Sequence, residues 1–338
     1  MVFEHNIQVV IAGMLQRETI INVKKDIHID QPGGNLLYTA ACYKIWHSGV
    51  GLVSRISEDF PQEWLEQFQR IGLDTRGIKR SSQKINDCRF YAFLDEDKYE
   101  INNPVRHFSK MNRKLPKNLL GYASPQPQLD SKDSPTAYTI FPDQIPPQYK
   151  HATSAYLGPI DFLSHRMLIP ELRSGLIGTI ILNPSPNYMN PAFWYSAPSL
   201  FQGIEVVITN ATKAKKLFLG KSKNLVEIAE TIGKFGVQIV ILTNGKDGQI
   251  LFDAQSGKKW RIPAYPVKAI DTIGACDAFC GGFLASYLQH FDPLRASLYG
   301  NIAASIKIEN SGPFYVLETL PELLKARIDV LKDKFTQI

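Results

Sequence analysis

Cysteine is scarce. Cys42, Cys88, Cys276 and Cys280 are the only four, and their spacing forms neither a disulfide framework nor a zinc-binding pattern. A chain of 338 residues with 44% hydrophobic content needs no covalent staple to hold a core, so a reducing compartment is its simplest setting. Long apolar runs are missing as well: none approaches the ~18 residues of a membrane span. The beginning of the chain, with Glu4 and a short apolar run from Val9 to Leu15, carries no basic leader or cleavage site, and a cytoplasmic location is expected. Neither sign of charge dominates. Lys and Arg (38) and Asp and Glu (32) leave a net charge of +6 spread along the sequence, which implies neither nucleic acid nor membrane but suits a phosphate-bearing ligand. No linker-like tract divides the chain, so one α/β domain over residues 1–338 is expected. A Walker A loop is absent too, since Lys246 follows Gly245 without the preceding Gly-x-x-x-x-Gly.

What is present alternates. Short apolar runs at Ile7 to Ala12, Ala155 to Leu157, Thr179 to Leu182, Val206 to Ile208 and Gln238 to Leu242 read as buried parallel strands. Helical patterns occupy Asn35 to His47, Gln62 to Ile71, Asn224 to Phe235, Pro293 to Ile308 and Pro321 to Lys334. This alternation predicts a doubly wound, mostly parallel sheet with helices on both faces, and ligands in such sheets bind beyond the carboxyl ends of the strands. Polar and apolar residues alternate in Thr19 to Ile29, Arg89 to Leu94 and Tyr99 to Ile101, which read as antiparallel strands wet on one face. Between Pro104 and Pro147 stand eight prolines, including the run Ser124 to Pro135. That composition packs no core, so residues from roughly 109 to 149 are expected to run over the surface, as a plain loop or as a gating or partner-binding one.

The most informative stretch is Asp271-Thr-Ile-Gly-Ala-Cys-Asp277-Ala-Phe-Cys-Gly-Gly-Phe283. A Gly/Ala turn opens a helix whose apolar positions Phe279, Phe283 and Tyr287 recur every four residues. Such a turn aims backbone N–H groups and the positive helix end at one point, a cradle for a phosphate or a migrating phosphoryl group. Asp277, in the first turn, is placed to take the proton of an attacking hydroxyl; equally, Asp is a favoured residue for capping a helix start. Cys276 at a helix N-terminus is a candidate redox-sensitive thiolate, while with Cys280, one turn on, the plain reading is a small packing residue.

This stretch resembles the C-terminal signature of the ribokinase-like (PfkB) carbohydrate kinases, Asp-Thr-x-Gly-Ala-Gly-Asp-x-Phe. The resemblance extends to Gly33-Gly34-Asn35, to Val50 through Ile56 with Asp59, to Thr243 through Gly248, and to Asn301 through Ser305. It implies a phosphotransferase that uses ATP and Mg²⁺ on a hydroxyl of a sugar, nucleoside or related polyol. Asp277 would be the base, and the amides of Gly274, Ala275, Cys276 and Asp277 the anion hole. It implies acceptor contacts at Gly33, Gly34 and Asn35, where the pair otherwise reads as a tight turn, and nucleotide contacts at Asn210, Thr243, Gly245 and Asn301. A small β lid from roughly 14–32 and 86–108 would cover the acceptor and provide a surface for a homodimer.

The chain departs from the family pattern in several places. Gln16 and Glu18 stand for the Asn and Asp that hold sugar hydroxyls, each one methylene longer, and Tyr38 stands for an Asn, which suggests a less polar or differently shaped pocket. The Mg²⁺-organising Asn-x-x-Glu reads Asn210-Ala211-Thr212-Lys213, so no metal ligand is expected from the protein and Mg²⁺ would be held by nucleotide and water. Lys213, Lys215, Lys216, Lys221 and Lys223 form a basic cluster that reads as a solvated helix face or as a phosphate site. Glu18, Lys213 and Cys276 together define the alternative function: a catalytically impaired relative that binds nucleotide or sugar as a regulator. All these roles require the Gly33-Gly34 doublet to face Asp277 across a crevice.

Overall fold

The computed structural model describes residues 7–126 and 129–338; Glu4, and Pro127 and Gln128 of the proline-rich run, lie outside the described residues. Fourteen strands follow one another among the described residues: β1 (Val9–Ala12), β2 (Gln16–Ile21), β3 (Ile27–Gly33), β4 (Val50–Ile56), β5 (Leu73–Arg80), β6 (Cys88–Phe93), β7 (Tyr99–Glu100), β8 (Ser154–Leu157), β9 (Thr179–Leu182), β10 (Val206–Asn210), β11 (Ile239–Thr243), β12 (Gln249–Asp253), β13 (Lys259–Ile262) and β14 (Thr336–Gln337). Ten of them form one sheet in the order β14-β13-β12-β11-β10-β9-β8-β1-β4-β5. From β5 to β11 the neighbours are parallel, and β12 to β14 add an antiparallel edge.

The pleat explains the continuous apolar runs. Along β1, Val9 and Ile11 enter one core with Leu36, Phe279 and Phe283, whereas Val10 and Ala12 enter another with Leu168 and Leu182. A strand buried on both faces has no polar side to show, which is the mark of a sheet covered by helices above and below. The ribokinase-like fold expected from the sequence is therefore present, and β1, where the strand order reverses, marks the ligand-binding end of such a sheet.

The second sheet, β3-β2-β6-β7, is small and separate, and it spans the stretches expected to form a lid. Two details differ from expectation. Thr19 to Ile29 is a hairpin, with β2 and β3 antiparallel across a turn at Lys24 and Lys25, where Lys25 has φ 69°. And β2 pairs with β6 in parallel, because the chain visits β4 and β5 of the main sheet before returning. The lid is also covered on its outer face. Ile21, Phe90 and Ala92 pack under Phe108 and Leu119, from the helix Pro104–Lys110 and the short turn Lys117–Leu119. Ile29, Leu94, Tyr99 and Ile101, by contrast, are exposed.

The proline-rich segment also contradicts the statement that it packs no core. Ile140, Ile145 and Tyr149 are buried in the core shared with β1 and β8. The Tyr149 ring lies where a Cβ on Gly51 would come within 2.7 Å, and its hydroxyl donates to Asp74 Oδ1 at 2.8 Å. Proline fixes the path between these anchors without hydrogen bonds, so a segment poor in regular structure still delivers large side chains inward. No helix among the described residues is long and apolar enough to cross a membrane.

Candidate active site

The helix Ala275–His290 starts at Gly274, whose φ of 76° suits glycine. Asp271 shapes the approach: its Oδ1 accepts the Ile273 N–H at 2.8 Å. From below, the Lys307 ammonium donates to the Asp271 carbonyl at 2.9 Å and pairs with its Oδ2 at 3.2 Å, with neither side chain exposed. Burial pulls the Lys307 pKa down, and Asp271 opposes that pull. Breaking such a pair strands a charge in the interior, so the turn is held rigidly. Ala275 N–H donates to the Thr272 carbonyl at 3.2 Å, while the N–H groups of Gly274, Cys276 and Asp277 have no acceptor among the described residues. The expected cradle of four amides is thus one of three, because Ala275 closes the turn.

Asp277 is half-buried, its carboxylate accepts no hydrogen bond from the described residues, and only its carbonyl is engaged, by the Thr39 hydroxyl at 3.1 Å. It is not a side-chain cap. Desolvation pushes its pKa up to about 6, against the pull of the Lys213 ammonium. A carboxylate poised near neutrality is the range for a general base. Cys276 shifts opposite to the thiolate expectation. Although the residue reaches solvent, desolvation and the Asp277 charge raise its pKa against the pull of the Lys213 ammonium.

Lys213 is separate from its basic neighbours. Lys215, Lys216, Lys221 and Lys223 are exposed, whereas Lys213 is buried and its ammonium donates to Asn183 Oδ1 at 2.6 Å and the Pro184 carbonyl at 2.9 Å. Asn210 caps its helix by accepting the Lys213 N–H at 2.8 Å. The register of β10 against β11 then sets Asn210 beside Thr243, whose hydroxyl lies 3.9 Å from the Cys276 sulfur. Thr243 and Asn210 therefore converge on the cradle. Gly245 has φ 56° and open space where a Cβ would project, and its chain neighbours Asn244, Asp247 and Gln249 line a cavity of about 410 Å³. Asn301 stands apart: its amide donates to the Pro263 carbonyl at 2.7 Å and accepts from Tyr265 N–H at 2.9 Å, so it shapes a loop.

The acceptor side is occupied by the chain itself. Asn35 accepts from Met14 N–H at 3.0 Å and donates to the Pro159 carbonyl at 3.3 Å. Gly33 and Gly34 make room: a Cβ on Gly33 would fall 2.1 Å from the Glu18 carboxyl carbon, and one on Gly34 2.3 Å from the Met14 carbonyl. Glu18 is 1% exposed, and its two oxygens accept the Gly34 N–H (2.9 Å) and the Tyr38 hydroxyl (2.7 Å). Burial pushes its pKa up to about 7. Tyr38 in turn packs on Gly274, where a Cβ would meet its ring at 2.3 Å. Ile20, Phe93 and Ile273 complete the cluster around that ring. The doublet and the cradle are thus neighbours, and the Tyr38 ring stands between Glu18 and Gly274. Of the acceptor-side residues, only Gln16 keeps its side chain free among the described residues, half-buried at the start of β2. A cavity of about 760 Å³ lies by Arg17, on the opposite face of β2 from Glu18.

This arrangement fits the phosphates of a nucleotide: three unpaired amides and a buried ammonium supply positive charge at one strand-end cluster. No group of three His, Cys, Asp or Glu side chains able to hold a metal ion occurs among the described residues.

Residues 180–320 match the model of the pfkB family carbohydrate kinases. The chain is 23% identical to a cytidine kinase of Thermococcus kodakarensis over 83% of its own length and 88% of the relative's. It is 30% identical to a ribokinase of Staphylococcus aureus over 43% of its own length, spanning 46% of that protein. A solved E. coli structure described as a candidate ribokinase II in complex with ATP and Mg²⁺ superposes with a TM-score of 0.69 at 16% identity, covering 96% of this chain and 99% of that one.

Proposed function

We propose, for a chain whose residues 180–320 match the pfkB family carbohydrate kinase model, that it transfers the terminal phosphoryl group of ATP to an alcohol of a sugar or nucleoside, with Asp277 as general base. The observation that carries this reading is Asp277 itself: a carboxylate without a protein partner, held near neutrality, beside three unpaired amides at a helix N-terminus. Asp277 accepts the hydroxyl proton as the alcohol oxygen attacks. The amides of Gly274, Cys276 and Asp277 meet the charge on the phosphoryl oxygens, which is the main electrostatic contribution a protein makes to such a transfer. Lys213 adds a fixed cation at the ends of β9 and β10 where the family pattern has a carboxylate. Thr243, Asn210 and Gly245 border the nucleotide, and Asn301 acts through the Pro263–Tyr265 loop. Mg²⁺ would come with the nucleotide and would neutralise part of the phosphate charge, and no side chain of this chain is assigned to hold it.

The cytidine kinase likeness, which spans most of both chains, supports a nucleoside or sugar acceptor without choosing between them. The regulatory reading rested on departures at Glu18, Lys213 and Cys276, and the relatives give it no support. The test is incubation of the purified chain with Mg-ATP and a panel of sugars and nucleosides. Phosphoryl transfer to an acceptor, lost in Asp277→Asn, supports the reading; nucleotide binding with no transfer to any of them overturns it.

A further inference from the structure

A carboxylate at the wall of a ligand crevice grips a neutral polyol by accepting its hydroxyls. Glu18 reaches toward the glycine doublet with both oxygens already satisfied by the chain, one by the Gly34 N–H and the other by a hydroxyl, that of Tyr38. The phenol does what an acceptor's hydroxyl would do. Its ring also takes up space. One side packs against Gly274 so closely that a Cβ there would collide with it, the Lys307 ammonium lies 5.2 Å from its centroid, and Ile20, Phe93 and Ile273 close the remaining sides. At 1% exposure each, Glu18 and Tyr38 leave no room for a third partner.

We propose that Tyr38 is a specificity-determining residue that withholds Glu18 from the acceptor, so that the chain rejects small neutral polyols such as free pentoses. The alcohol it accepts reaches Asp277 without presenting hydroxyls to Glu18. This rests on the phosphotransferase reading for the identity of the acceptor, whereas the contact between Glu18 and Tyr38 stands without it.

Calorimetric titration of D-ribose into the full-length chain, without nucleotide, tests the idea. Tyr38→Ala is expected to bind ribose at least about tenfold more tightly than wild type, the scale of one gained hydrogen bond to a charged group, and adding Glu18→Gln is expected to abolish the gain. Tyr38→Asn serves the same comparison should the alanine variant fail to fold. Wild-type binding as tight as that of the Tyr38 variant, a folded Tyr38 variant with no gain, or a gain that survives Glu18→Gln overturns the proposal. Because the readout is binding of the acceptor probe, absence of phosphoryl transfer to any alcohol would sink the phosphotransferase reading and leave this outcome untouched.

Discussion

Two walls meet at the end of the sheet, and they differ in what they leave unsatisfied. The cradle wall, from Asp271 to Asp277, is braced from behind by Lys307 and presents three amides and one carboxylate with no protein partner. The doublet wall, from Gln16 to Tyr38, has nearly everything paired: Glu18, Gly34, Asn35 and Tyr38 satisfy one another or the nearby backbone. Polar groups near a protein interior are normally paired, so groups left unpaired mark where a ligand completes the structure. By that measure the cradle wall is prepared for a ligand and the doublet wall is closed by its own side chains.

The sharpest way to test the contrast is to neutralise the unpaired carboxylate. Asp277→Asn is expected to lower turnover by roughly 10²- to 10⁴-fold, the usual worth of a positioned base, with nucleotide affinity nearly unchanged. Steady-state kinetics beside a nucleotide titration checks both halves. Next comes the fixed cation. Lys213→Met is expected to weaken ATP binding by about tenfold to a hundredfold, the worth of a charged hydrogen bond. It should also move the acid limb of kcat/KM upward from about 6, because the ammonium is what holds Asp277 down. The base works ionised, so the rate rises with pH through that limb. An unmoved limb in the variant would separate Lys213 from Asp277.

On the closed wall the expected effect is on stability. The Glu18 pKa stands at about 7 instead of 4.5, so the folded state binds that proton more tightly than the unfolded chain. Its contribution is therefore complete below pH 4.5 and is lost as pH rises through about 7. The full swing is at most about 3 kcal/mol. Glu18→Gln removes the titration, and urea unfolding from pH 4 to 8 should show a flatter profile than wild type. The smallest effect is expected from the exposed lysines: Lys215→Ala and Lys216→Ala should change stability by less than about 0.5 kcal/mol and leave nucleotide binding alone. A large loss of binding there would return the whole basic cluster to the phosphate site.

Much of the fold could be read directly. The run Thr179 to Leu182 matches its strand end to end, because a strand buried on both faces leaves an uninterrupted apolar signature. The cradle was legible for a similar reason: Gly274, the turn and the helix that follow Asp271 are local in sequence, so their geometry is set by neighbours a few residues away. Lys213 was harder to assign. A lysine among lysines carries no mark of burial, and only its approach to Asn183 and Pro184, thirty residues upstream, removes it from water. The proline-rich stretch misled for the opposite reason, since composition reports the average segment and Tyr149 is a single anchor.

The sequence by itself determined the doubly wound sheet, the turn before Asp277 and the residue types along both walls, because strand periodicity and a glycine-led helix start are short-range properties. Only the tertiary structure decided that Tyr38 spends its hydroxyl on Glu18 and its ring on Gly274. Those partners lie 20 residues behind it and on a helix start far ahead in the chain, and which polar group meets which is fixed when packing excludes water from all of them at once.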